Sequence, residues 1–202
     1  MRASLLLGSL GFTIVSLAGF APWVLAGSWF RQHGGEIGMY IACAVIFIGL
    51  SGLLLHRLII GPDSLKRFYK IFPLAFVVYS IAWIIGWMSL RGHIGGLAGL
   101  FAGTLLMGLI LCRSFGAMDA LLKVVAALFI FNALGYFAGD WIEGAILGVN
   151  EPCVAGIHLA KSTQLLLAKT QWGVCYGLGL GAGLGLAFYF CQKKGRGASQ
   201  SY

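Results

Sequence analysis

Charged residues are scarce in this 202-residue chain: 10% of its residues are Asp, Glu, Lys or Arg, against about 25% in an average soluble domain. Hydrophobic residues make up 59% of the chain, and its mean hydropathy is +0.91. So few charges cannot cover the surface of a soluble globule of this size, and an ordinary soluble fold is therefore excluded. The high hydrophobicity also excludes intrinsic disorder.

Alternation of apolar and polar residues, which would indicate membrane-barrel strands, is also absent. The apolar residues come in long blocks instead, and a helix needs about 20 of them to cross a hydrocarbon core of about 30 Å. The sequence predicts an all-α fold: a polytopic integral membrane helical bundle with one transmembrane domain over residues 1–192. Its six predicted spans cover residues 4–27, 36–60, 69–90, 93–112, 118–139 and 172–191.

Basic residues are distributed unevenly between the two sides that these spans define. Ten Lys and Arg residues fall on one side and four on the other. The positive-inside rule places the richer side in the cytoplasm, so both termini are predicted to be cytoplasmic. The net charge of +8 is thus interpreted as a topology signal, and we expect no nucleic-acid partner. The predicted location is the plasma (inner) membrane, with the lipid bilayer as the surrounding solvent.

Large aromatic residues gather near the predicted outer boundary of the spans. Such a distribution is typical of an aromatic belt at the interface between membrane and water. The residues concerned are Trp23, Trp29, Tyr40, Trp87, Trp141 and Trp172.

Two segments lie outside the predicted spans. Residues 140–171 form a predicted outer loop, in which Val154 to Lys169 could form a surface or re-entrant helix. An alternative is that the start of this segment prolongs the fifth span. Residues 193–202 form a predicted basic cytoplasmic tail.

The first span also resembles a signal peptide, because Val24-Leu25-Ala26 before Gly27 fits a cleavage site. Its apolar run is longer than the ~7–15 residues of a signal peptide, which favours a retained span.

Glycine at four-residue spacing is the strongest local pattern among the 31 glycines. Such spacing makes a groove without side chains along a helix, where another backbone can approach closely. We expect helix packing within the bundle, and the alternative is a docking face for a second copy or a membrane partner. The residues are Gly95, Gly99 and Gly103 on the fourth span and Gly173, Gly177, Gly181 and Gly185 on the sixth.

A polar stripe on the fifth span contains Asn132, Tyr136, Asp140 and Glu143. At about 100° per residue these positions fall within roughly 80° of one another around the helix. One interpretation is an outward cavity that binds a cation, a proton or another ligand, with Asn132 as its deepest group. The other is that Asn132 contacts a neighbouring helix while Asp140 and Glu143 stand in water or among headgroups.

Catalytic motifs are missing from the sequence: it has no Gly-x-Ser-x-Gly, His-Glu-x-x-His or P-loop pattern. The five cysteines and four histidines show no metal or haem spacing. We therefore expect no catalytic residue, no metal and no cofactor. The predicted function is that of a non-catalytic, accessory-type bundle binding a lipid, a membrane-protein partner or a second copy. The alternatives are a small-solute, ion or proton transporter using the fifth-span stripe, and a membrane-embedded lipid-modifying enzyme.

Overall fold

The computed structural model describes residues 1–33, 35–149, 153–154, 157–158 and 160–193. Six of its helices are long and apolar enough to cross a membrane, which confirms the predicted multi-pass helical bundle. The described α-helices are α1 (Arg2–Leu25), α2 (Gly27–His33), α3 (Gly35–Leu55), α4 (Ser64–Leu90), α5 (Gly92–Phe115), α6 (Leu121–Leu147) and α7 (Lys161–Cys191).

Short elements complete the fold between these helices. Single 3-10 turns, His56–Leu58 and Met118–Ala120, follow α3 and precede α6. Two antiparallel strands of two residues each, β1 (Cys153–Val154) and β2 (Ile157–His158), lie between α6 and α7. Helix α5 ends at Gly116, whose φ of +63° suits a residue without a side chain.

The structure differs from the predicted outer loop over 140–171 at both ends of that segment. Helix α6 continues to Leu147, as in the alternative considered above, and α7 already begins at Lys161. Residues 161–169, predicted as part of a separate surface helix, are therefore the first turns of α7. Polar residues in this region suggested a loop, but buried Gln164 donates through Nε2 to the carbonyls of Ile146 (2.6 Å) and Val149 (2.9 Å).

The resulting α7 has 31 residues and is about 46 Å long at 1.5 Å per residue. It therefore exceeds the ~30 Å hydrocarbon core. Of the predicted basic tail, Lys193 is described and residues 194–202 lie outside the described part of the chain.

Each of the six long helices contacts the next in the spatial order α3, α1, α7, α6, α5 and α4. Helix α4 also contacts α3. Helix α7 is the most buried of the six spans. We call the end of the bundle that carries the α1–α3, α4–α5 and α6–α7 links the outer end, following the orientation predicted above.

Aromatic side chains fill much of the interior. Helix α4 points Phe68, Phe72, Phe76 and Tyr79 inward, and the ring centroids of Phe68 and Phe72 are 4.8 Å apart. Phe12 of α1 packs against this row, 6.5 Å from Phe72 and 6.4 Å from Phe76. The outward side of α4, by contrast, is apolar and exposed, as expected for a surface that faces lipid.

Candidate functional site

Asn132 of the predicted polar stripe lies in the bundle core and is fully buried. Its Nδ2 donates a 2.8 Å hydrogen bond to the hydroxyl of Tyr79 on α4. The hydroxyl of Tyr176 on α7 lies 3.4 Å from the same Tyr79 oxygen. Three helices thus meet at one polar cluster, which we call the tyrosine–asparagine cluster. Within the described part of the chain, Asn132 Oδ1 has no hydrogen-bond partner.

Asp140, two turns further along α6, is half-buried and accepts a 3.0 Å hydrogen bond from Trp172 Nε1. The Trp172 ring also stacks on Tyr176, at a centroid distance of 5.3 Å and an interplanar angle of 10°. A Cβ on Gly139 would lie 2.9 Å from Trp172 Cδ1, so this glycine leaves room for the indole. The indole therefore lies between the Asp140 carboxylate and the tyrosine–asparagine cluster. Trp172 belongs to the bundle interior as much as to the predicted aromatic belt.

Tyr136 is buried within an aromatic group rather than facing an open space. Its ring centroid lies 6.0 Å from that of Trp83 on α4 and 5.7 Å from that of Trp172 on α7. Gly96 on α5 borders the same ring, because a Cβ built there would be 3.5 Å from it. The indole Nε1 of Trp83 is buried and has no partner in the described residues.

Glu143, the outermost residue of the stripe, is half-buried and interacts electrostatically with Asp140 and with Lys169 of α7. The Lys169 ammonium lies 4.3 Å from the centre of the Trp23 ring on α1. The four stripe residues thus occupy successive and different surroundings: a buried hydrogen-bond cluster, an aromatic group, an indole contact and a half-buried position that feels the charges of Asp140 and Lys169.

The partners of this stripe were not identified from the sequence. Tyr79 stands in the middle of the predicted third span and Tyr176 near the outer end of the predicted sixth, and sequence alone gives no indication of which helices face each other. The position of Tyr79 was the available signal, because tyrosines in membrane proteins favour the ends of spans.

The four glycines of the sixth span face α1 inside the bundle. A Cβ on Gly181 would overlap the carbonyl oxygen of Gly8 and lie 2.8 Å from Phe12 Cβ. The Ser16 hydroxyl donates a 2.7 Å hydrogen bond to the Gly173 carbonyl, which the missing side chain leaves accessible. The other two glycines of this face are equally close to α1: Gly177 adjoins Thr13, and Gly185 adjoins Ser4.

The glycines of the fourth span face α4 in the same way. A Cβ on Gly99 would lie 2.6 Å from the Trp83 carbonyl oxygen, and one on Gly103 would lie 2.8 Å from that of Tyr79. A Cβ on Gly95 would lie 3.1 Å from the Gly86 carbonyl oxygen. Both glycine series are therefore covered by helices of the same chain.

A cavity of about 320 Å³ opens at the outer end of the bundle. The end of α1, the short helix α2, the start of α3 and one residue of α7 enclose it. Its wall includes Trp23, Ser28, Arg31, Met39, Tyr40 and Lys169. We call this space the outer cavity. It combines aromatic rings with two basic side chains.

Over the described ranges, no three His, Cys, Asp or Glu side chains are placed to hold a metal ion together.

These features define an integral, multi-pass membrane protein of the helical-bundle class. Comparisons with known protein families, with characterised proteins and with solved structures found no match to the chain.

Proposed function

We propose that the chain is a non-catalytic, accessory-type membrane protein whose bundle binds a lipid at its outer end. The observation that carries the proposal is the outer cavity, with its volume of about 320 Å³ and its wall of aromatic and basic side chains. Trp and Tyr residues favour the interface between membrane and water, so Trp23 and Tyr40 are expected at headgroup level. A lipid could then enter the cavity from the bilayer with its polar end at the surface.

The bundle interior favours binding over solute transport. Among the described residues, the buried polar ones are Ser9, Ser16, Ser51, Thr104, Asn132 and Gln164, and none carries a charge. Transporters of polar solutes usually keep several polar or ionisable groups at mid-membrane depth. Here Asn132 bonds to Tyr79, and Ser16 and Thr104 donate to backbone carbonyls.

The glycine faces favour a lipid over a protein partner as the bound molecule. Small-residue grooves are a common means by which membrane helices associate. Those on α5 and α7 are already covered by α4 and α1, so docking of a second copy would need another surface.

Lipid analysis of the purified protein tests this proposal. We expect the protein, extracted in a mild detergent, to retain lipid in a stoichiometric amount that mass spectrometry detects. After delipidation, adding lipid back should raise the thermal unfolding temperature. A chain that retains no lipid and is not stabilised by it would contradict the proposal. Stoichiometric co-purification of a membrane protein would favour the partner alternative.

Cation or proton transport is the second candidate, because the buried Asn132 Oδ1 has no partner among the described residues. An acceptor oxygen at this depth could bind a cation transiently. The test is ion flux into liposomes containing the protein, compared with Asn132→Leu. Flux that the variant abolishes would favour transport, and turnover of a labelled lipid in the same liposomes would favour the lipid-modifying enzyme.

A further inference from the structure

We infer that the outer cavity binds the phosphate group of an anionic phospholipid through Arg31 and Lys169, with an acyl chain lying along the outward face of α3. This inference rests on the proposed function, because it names the lipid class and the residues of that same site.

Two basic side chains from distant parts of the sequence converge on the cavity. Arg31 lies on α2 and is exposed, whereas Lys169 lies on α7 and is half-buried. Guanidinium and ammonium groups are the usual protein ligands of phosphate, and charge-assisted hydrogen bonds to phosphate are stronger than neutral ones. The contact between the Lys169 ammonium and the Trp23 ring holds this charge at the cavity wall.

Acidic side chains lie near this charge but outside the cavity wall. Glu143 of α6 interacts with Lys169 from the side of the polar stripe. Among the residues that line the cavity, Arg31 and Lys169 are the charged ones, so the wall itself carries two positive charges, whereas Glu143 and Asp140 lie outside it on α6. Arg31 supplies the charge that Lys169 alone would share with Glu143.

The outward face of α3 explains why the anion should belong to a lipid. Met39 and Tyr40 line the cavity, and the neighbouring residues Ile37, Ile41 and Val45 are 74%, 60% and 65% exposed. Their spacing of four residues places them on one side of the helix. An acyl chain of the lipid can lie along this apolar side of α3 while the phosphate of the same lipid occupies the cavity. Free phosphate would gain no binding energy from the apolar side.

Binding measurements on the detergent-solubilised, delipidated full chain test the inference. Native mass spectrometry would compare phosphatidylglycerol, phosphatidylcholine and inorganic phosphate as ligands. We expect phosphatidylglycerol to bind best, and Arg31→Gln and Lys169→Gln each to weaken it about tenfold through loss of a charge-assisted hydrogen bond. Arg91→Gln is the matched control, because Arg91 is an exposed cation at the same end of the bundle but outside the cavity wall.

A further variant tests whether the positive charge at position 169 is what binds the phosphate. Lys169→Arg keeps the charge and should bind phosphatidylglycerol with an affinity within about twofold of the parent, because lysine acts on phosphate as a point charge. A loss of binding in Lys169→Arg equal to that in Lys169→Gln would overturn the phosphate contact.

The remaining outcomes distinguish this site from the proposed function. Unchanged phosphatidylglycerol affinity in both Gln variants would overturn the site while leaving lipid binding intact. Equal affinity for phosphatidylcholine would overturn the preference for an anionic lipid. Inorganic phosphate that displaces the lipid at equal concentration would overturn the role of the α3 face. If the parent binds no phospholipid at all, the proposed function and this inference both fail.

Discussion

The indole Nε1 of Trp172 donates a 3.0 Å hydrogen bond to Oδ1 of Asp140, joining α7 to α6 near the outer end of the bundle. The same indole also stacks on the ring of Tyr176 in the core. One side chain therefore pairs with a carboxylate and also packs against the tyrosine–asparagine cluster. The polar stripe and the glycine-rich helix α7 are linked by this contact.

Removing the hydrogen bond while keeping an aromatic ring tests this link. We expect Trp172→Phe to lower the free energy of unfolding by about 1 kcal/mol, because half-buried Asp140 loses its partner. Trp141→Phe is the control, since Trp141 lies on α6 and is 76% exposed. Thermal unfolding in detergent measures both variants. Equal stability of the two would show that the contact contributes nothing.

Close approach of α7 to α1 predicts an asymmetry among glycine substitutions. We expect Gly181→Ala to cost about 1–3 kcal/mol, because its Cβ would overlap the Gly8 carbonyl oxygen. Gly144→Ala on α6 is the control, since a Cβ there meets nothing within 4 Å and alanine favours a helix by up to about 1 kcal/mol. The measurement is the unfolding transition of each variant. Similar stabilities for both would argue against a packed α1–α7 interface.

Much of the fold follows from block length and from the spacing of glycine. Long apolar blocks predicted six spans because lipid requires continuous apolar surface and an internally hydrogen-bonded backbone. The end of α6 was predicted only as an alternative, and the start of α7 was predicted as a separate surface helix, for a related reason. Asp140 and Gln164 look like loop residues in a sequence, but each obtains a hydrogen bond from or to a neighbouring helix.

The candidate site was predictable only in part. Periodicity placed Asn132 and Asp140 on one side of a helix, but it could not reveal that Tyr79 and Trp172 face them. The outer cavity depends on Arg31 and Lys169, which are far apart in the chain, and so on the tertiary arrangement. Local sequence patterns carry no information about such pairings.

Accessibility labelling tests the predicted orientation. In a variant without native cysteines, we expect Ser162→Cys, at the start of α7, to react with an impermeant thiol reagent in intact cells. Ser64→Cys, at the start of α4, should be shielded, because the positive-inside rule places this end in the cytoplasm. Both serines lie near the ends of described helices, so neither substitution removes a core contact. Reaction of Ser64→Cys with protection of Ser162→Cys would establish the opposite orientation.

The tyrosine–asparagine cluster gives the sharpest test of how the core is held together. We expect Tyr79→Phe to cost about 1–3 kcal/mol, because it leaves Asn132 buried with neither its donor nor its acceptor paired. Asn132→Leu should cost less than Tyr79→Phe, because it also removes the unpaired Oδ1. In the double variant the two effects should not add, and the coupling should be about 0.6–1.7 kcal/mol, as for other hydrogen bonds between membrane helices.

Tyr176→Phe is the control within the same cluster. Its hydroxyl lies 3.4 Å from that of Tyr79, longer than the 2.5–3.0 Å range typical of O–H···O bonds. We therefore expect Tyr176→Phe to destabilise the protein less than Tyr79→Phe, although both remove one hydroxyl from the core. The measurement is the free energy of unfolding in detergent of four variants: Tyr79→Phe, Asn132→Leu, the double variant of these two, and Tyr176→Phe. Strict additivity of Tyr79→Phe and Asn132→Leu would mean that their contact does not stabilise the bundle, and that Asn132 is free to serve the transport role instead.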